Sequence, residues 1–315
     1  MTNFVTYNFT MSLSKNNVLI ILSFFSIYVI WGSTYLLNKI VVTEVSPLLL
    51  ASIRFLSAGI LIVIIARFLK LSLKVTKKQI LNSIIAGFLF LVYGNGVFVW
   101  ALKYVDSGFA ALIAATQPLF VIFLMRILHG NKIQFKSMIG VVLGIIGMYL
   151  LVSQDELILT KDSIIGIIMI FTCVLSWSYA SIFVSKADLP SSFFVSTGYQ
   201  MLAAGVMLVI GSLAVGETWL SPSLWSVEAQ WSMVLLILFG SIVAFSAFNY
   251  LLKVVSTEKV STSAYVNPVI ALLLGWYVLD EHISMQSIVA AFILLTGVYF
   301  INTKKKFAMF NRFRK

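Results

Sequence analysis

Two prolines 150 positions apart, Pro118 and Pro268, each follow a carboxamide, Gln117 and Asn267, inside apolar sequence. A proline within a helix removes one backbone hydrogen bond and displaces the carbonyl four residues earlier, here Ala114 and Ala264. The neighbouring amide offers donors and an acceptor beside that freed carbonyl. In a membrane interior the pairing has two uses: contacts for a polar group of a solute, or repair of a bent helix by bonding between helices. Tyr265, one turn before the second kink, fits either use. The prolines are expected to kink their spans at mid-membrane.

Arg54 is the one cation well inside an apolar run. A charge at that depth points to a function or a partner, so Arg54 reads either as a site for a carboxylate or phosphate, or as a side chain snorkelling to the outer surface or bonding helix-end carbonyls. Trp31 with Tyr35, Trp177 with Tyr179, and Trp100 supply aromatic faces for an apolar or aromatic solute, or pack at lipid interfaces. Asn95, between Gly94 and Gly96, is a candidate cavity contact where the backbone can be closely approached. Gly140, Gly144 and Gly147 make a small face for a tight helix crossing. No Asp, Glu or His falls deep in a span, so an intramembrane carboxylate relay has no residue; Asp280, Glu281 and His282 at an outer turn are the weak candidates for proton coupling.

These residues need a membrane scaffold. Of 315 residues 60% are hydrophobic and 10% charged, which excludes an ordinary soluble domain. Ten spans are expected: Val18 to Leu37, Leu48 to Phe68, Ile80 to Leu102, Gly108 to Leu128, Met138 to Val152, Ile164 to Val184, Phe193 to Val215, Ser232 to Leu252, Ser261 to Leu279 and Gln286 to Ile301. The first is longer than a signal-peptide core and no A-x-A cleavage pattern follows it. With the N-terminus cytoplasmic, all of the 22 Lys and Arg except Lys39, Lys103, Lys161 and Arg54 fall on the cytoplasmic side. That asymmetry puts both termini in the cytoplasm. Of the 11 acids only Asp188 and Glu258 fall there. The net charge of +11 is therefore a topology signal and not a nucleic-acid surface; the basic tail can also rest on anionic lipid. The single cysteine, Cys173, excludes a disulfide framework and reads as a small buried residue.

The segment from Ala101 aligns without gaps on that from Leu251, pairing Lys103 with Lys253, Pro118 with Pro268, Gly147 with Gly297 and Tyr149 with Tyr299. Earlier, an offset of 146 pairs Trp31 with Trp177 and Ser57–Gly59 with Ala203–Gly205. Five spans per half is an odd number, so the second half enters from the opposite side, as an inverted repeat. The expected organisation is a cytoplasmic segment 1–17, a first repeat 18–152, a second repeat 164–301 and a basic tail 302–315.

The stretches IWGSTY (Ile30–Tyr35) and IRFLSAG (Ile53–Gly59), the QP-containing fourth span, and the SAYVNPVIALLLG run (Ser263–Gly275) followed by Glu281 resemble the EamA branch of the drug/metabolite transporter superfamily, and bacterial inner-membrane permeases within it. The resemblance implies an all-α integral membrane fold of ten helices in a five-plus-five inverted repeat. It also implies export or exchange of small metabolites, often amino acids or amphipathic compounds. The sequence departs from a paired acid after the proline helices: Asn131 stands where the second half has Glu281.

The expected function is alternating-access transport driven by the substrate gradient, with proton-coupled efflux as the alternative. An intramembrane enzyme or a sensor ranks lower, because HExxH, GxSxG, a Cys/His pair and a P-loop are all missing from the sequence. No cofactor or metal is expected; the partners are a small-molecule substrate and lipid, with the chain a monomer or homodimer.

Overall fold

The computed structural model describes residues 15–101, 103–104, 110, 113–130, 134–153, 161–279 and 284–302. They fold into ten helical rods: α1 (Asn16–Val42), α2 (Pro47–Phe68), α3 (Lys77–Ala101), α4 (Gln117–His129), α5 (Phe135–Val152), α6 (Lys161–Lys186), α7 (Phe193–Ala214), α8 (Val227–Val254), α9 (Ser263–Leu279) and α10 (Met285–Asn302). Rods α1, α2, α3, α6, α7 and α8 are long and apolar enough to cross a membrane; α4, α5 and α10 are shorter apolar helices. The outside of the bundle is apolar, with Phe68 81% and Phe292 73% exposed, as lipid contact requires. The protein is an all-α membrane protein.

Helix α8 starts five residues before the expected Ser232, because the Ser226 side chain accepts from Ala229 N (3.1 Å) and caps its first turn. Three rods are not α-helical throughout. Ser26–Ile30 in α1, Phe88–Val97 in α3 and Leu236–Val243 in α8 are π-helical, a geometry that leaves carbonyls outside the regular ladder.

The halves pack symmetrically. Helix α1 lies against α8 and α9, and its repeat partner α6 lies against α3 and α4; α2 pairs with its own counterpart α7, and α5 with α10. A side chain on Gly59 would fall 2.8 Å from Leu202 Cγ, and one on Gly205 would fall 2.6 Å from Leu56 Cγ. These are the same contact seen from each half. Along this seam Leu56 and Gly59 climb α2 as their partners Gly205 and Leu202 descend α7, so repeat-equivalent helices run antiparallel. Gly140 against Gly297 and Gly147 against Ala290 do the same for α5 and α10.

The fourth span breaks at Ala115–Thr116, directly before Pro118 and near its expected middle, while α9 is helical on both sides of Pro268. Pro118 is the second residue of α4, after a turn at Ala115–Thr116, and Pro268 is the sixth residue of α9. Pro118 sits in the first turn, where a missing N–H is least costly, whereas Pro268 stands inside α9, where its missing N–H leaves Ala264 O outside the helical ladder. Further irregularities are the π-segments of α1, α3 and α8.

Candidate functional site

Where α1, α3, α6 and α8 meet, five rings pack together. Trp31 and Trp177 stand edge to face with centroids 5.8 Å apart. Phe90 lies 4.9 Å from Trp177, Phe248 lies 4.9 Å from Trp31, and Phe245 lies 5.6 Å from Phe90. The three phenylalanines are fully buried; the tryptophans keep partial exposure. Such a cluster holds the halves together by apolar burial and edge-to-face contacts.

Polar side chains of one rod cover the π-segment carbonyls of another. Trp31 Nε1 donates to Gly240 O (3.1 Å) in α8. Ser176 Oγ donates to Leu89 O (2.9 Å) and Cys173 Sγ to Tyr93 O (3.2 Å) in α3. Asn267 is buried among carbonyls, which orients its amide nitrogen to donate to Ile27 O (3.0 Å), Tyr28 O (3.1 Å) and Ser263 O (3.1 Å). It thereby ties α9 to the π-segment of α1. Asn95, in the π-segment of α3, has a buried Oδ1 without a partner, and Gly94 beside it admits the Trp177 ring.

Arg54 does not reach for the outer surface. It is 4% exposed, and its Nε donates to Ser241 Oγ (2.8 Å) in the π-segment of α8. Nη1 is buried without a partner, and Nη2 abuts Gly240. Beside it a crevice of about 160 Å³ runs between α1 and α8, with Ser33, Thr34, Phe239 and Gly240 in its wall.

The halves are also tied at the helix ends. Leu48 N and Leu49 N donate to the Glu217 carboxylate (3.0 and 2.8 Å), and Ser226 N and Oγ donate to Glu44 (2.8 and 2.6 Å). Each acid caps a helix of the opposite half, where the helix dipole favours negative charge. The Ser226 hydroxyl, then its backbone N–H, hold the Glu44 carboxyl below the usual carboxylate range. Burial pushes the Glu258 carboxyl up, with Lys136 and Lys259 opposing. At the other end Gln79 Nε2 donates to Asp188 Oδ1 (3.1 Å) and Tyr199 Oη to Leu73 O (2.8 Å).

A family model described as "EamA-like transporter family" matches residues 18–153 and 164–303, nearly the whole membrane bundle. The chain belongs to the EamA-like transporter family. "Uncharacterized inner membrane transporter YedA" of Escherichia coli (strain K12) is 36% identical over 284 residues, covering 89% of this chain and 90% of that protein. "Uncharacterized transporter YoaV" of Bacillus subtilis (strain 168) is 24% identical over 91% of this chain and 97% of its own length. "Probable amino-acid metabolite efflux pump" of Escherichia coli (strain K12) is 23% identical over 90% of this chain and 94% of its own. A crystal structure with TM-score 0.75 and 18% identity covers 90% of this chain and 96% of that one, which shows the shared fold. This EamA protein is a multi-pass inner-membrane transporter of small metabolites.

Within the EamA bundle the residues singled out in the sequence do not form one cluster. Trp31 and Trp177 meet, and Trp31 bonds the α8 segment that Arg54 also reaches. Gln117 is half-buried with its backbone carbonyl 3.5 Å from Ser178 Oγ, and Pro118 beside it is buried. Tyr265 lies away from the rings, its phenol filling the space left by Gly144 in α5. Tyr179 is exposed on the outside of the bundle. Asp280, Glu281 and His282 lie outside the described residues. Among the described residues no three His, Cys, Asp or Glu side chains converge. Sequence reasoning missed Phe90, Phe245 and Phe248: with 25 phenylalanines in the chain, none stands out without the repeat partner that marked the tryptophans.

Proposed function

We propose that this EamA transporter exports or exchanges small metabolites, amino acids or amphipathic compounds, by alternating access driven by the substrate gradient. Substrate lies where α1, α3, α6 and α8 converge, with Trp31, Trp177 and Asn95 bordering it, and with Gln117–Pro118 and Asn267–Pro268 shaping the helices around it. The observation that carries this reading is the contact of repeat-related Trp31 and Trp177. A crevice that opens alternately to the two faces must part or re-pack at such a self-related contact. The chain works as a carrier without catalytic chemistry, as a monomer or homodimer in a lipid annulus, with both termini cytoplasmic. The relative named as an amino-acid metabolite efflux pump supports this substrate class and an outward direction.

The test is flux in reconstituted vesicles with and without a pH gradient. Substrate-driven flux that persists without the gradient is expected; strict dependence on it defeats the gradient-driven version. Proton-coupled efflux, through Asp280, Glu281 or His282, is the second reading.

A further inference from the structure

Among the described residues no carboxylate pairs with Arg54, whose guanidinium carbon lies 5.2 Å from the centre of the Phe55 ring. Arg54 is 4% exposed, Ser241 takes its Nε, and Nη1 is buried without a partner. Withdrawing a guanidinium from water without an opposite charge is expensive, and the cost is recovered when an anion arrives. The repeat supplies an internal control. At the equivalent position, offset by 146, stands the neutral Gln200, whose Nε2 donates to Ser196 Oγ (3.0 Å) and Asn249 Oδ1 (3.3 Å) and whose Oε1, like Arg54 Nη1, is buried without a partner. The same architecture is therefore built at that position without a cation.

The surroundings of the guanidinium suit a ligand. A Cβ on Gly240 would lie 3.0 Å from its Nη2 and 3.0 Å from Thr34 Cγ2, so the glycine lets both side chains approach closely. Gly240 and Thr34 also wall the 160 Å³ crevice between α1 and α8, whose other walls are Ser33 and apolar side chains and which reaches Arg54 only through these two residues. That volume is several times the roughly 30 Å³ share of one liquid water, enough for an oxyanion group with a short stem. Trp31, bonded to Gly240 O, carries the aromatic cluster up to the same spot.

We propose that Arg54 is the anion subsite of the transport site, its terminal nitrogens pairing with the carboxylate or phosphate of a substrate whose apolar body lies toward Trp31. This rests on the transport reading above and narrows its substrates to organic anions, zwitterions included. Guanidinium is the cation suited to the task, because its planar fork takes two oxyanion oxygens at once.

The test is the melting temperature of the detergent-purified full chain with phenylacetate, phenyl phosphate or neutral 2-phenylethanol, each against chloride at equal ionic strength. At least one anion is expected to raise it by about 2 °C near ten times its Kd, and the alcohol to do less. The larger of the two anion shifts identifies carboxylate or phosphate. The shift vanishes in Arg54→Gln and falls by at least half in Arg54→Lys, which keeps the charge but loses the fork. No anion shift above the alcohol, or a shift undiminished in either variant, overturns the proposal; Arg54→Lys decides should Arg54→Gln fail to fold. Metabolite excretion from overproducing cells is measured in parallel. Excretion without Arg54-dependent anion binding removes the subsite alone, whereas no excretion from wild-type cells removes the transport reading itself.

Discussion

Trp31 and Trp177, separated by 146 positions and equivalent in the two repeats, touch edge to face with ring centroids 5.8 Å apart. Only a position near a twofold axis can meet its own counterpart, so the pair marks where the halves are joined. Truncating either ring to alanine is expected to destabilise by about 3–5 kcal/mol. Trp31→Ala loses more than Trp177→Ala, because it also strips Gly240 O of its donor. Thermal melts of the two purified variants check the order.

Asn267→Ala leaves the carbonyls of Ile27, Tyr28 and Ser263 without their donor and is expected to cost about 1–3 kcal/mol. Excretion of at least one accumulated compound should fall when cells are compared at equal membrane abundance. Unchanged excretion of every compound would remove Asn267 from the transport site and leave it a tie between α9 and α1.

Gly59→Val and Gly205→Val should destabilise by similar amounts, about 1–3 kcal/mol or more, since each new side chain meets a repeat-equivalent leucine of the opposite half, Leu202 or Leu56. The backbone nitrogens of Leu202 and Leu56 are each 2.9 Å from the added Cβ, so a rotamer change alone gives no relief. In the double variant the separation of α2 and α7 forced by one change partly accommodates the other, so its loss is smaller than the sum of the two single losses. Denaturation midpoints of the single and double variants measure this.

Glu44 has a folded-state pKa below its ordinary value, owing to the Ser226 hydroxyl and N–H. A carboxyl depressed in this way contributes its tie fully above the ordinary carboxylate pKa and loses it as pH falls through the lower folded value. A fluorophore pair on Thr43→Cys and Ser223→Cys, with Cys173 buried, should therefore separate on acidification within that range. Glu44→Gln should remove that step from the titration. A step that survives in Glu44→Gln would assign the movement to another group.

Much of the architecture was legible from hydropathy and spacing. Ten apolar runs gave ten rods, and the matched positions Trp31/Trp177 and Pro118/Pro268 exposed the duplication. The direction of Arg54 was not legible, because a long side chain two turns from a helix end can reach either the surface or the interior. The prolines suggested mid-span kinks; a turn at Ala115–Thr116 does precede Pro118, while Pro268 stands inside a helix that continues past it. The π-segments leave no residue signature; they become visible through the side chains that cover their carbonyls, such as Asn267 and Ser176. The cross-half caps of Glu44 and Glu217 depend on tertiary placement that one chain order does not reveal.

The π-segment of α1 has no counterpart in α6, which is regular over Lys161–Lys186, although α3 and α8 carry theirs at matching places. Each π-turn stores one surplus residue, and its release would rotate the rod beyond it by about 100°. One half thus owns a degree of freedom that its twin lacks. In a carrier that works by exchanging two packings of its halves, this inequality between α1 and α6 would make those packings unequal in energy.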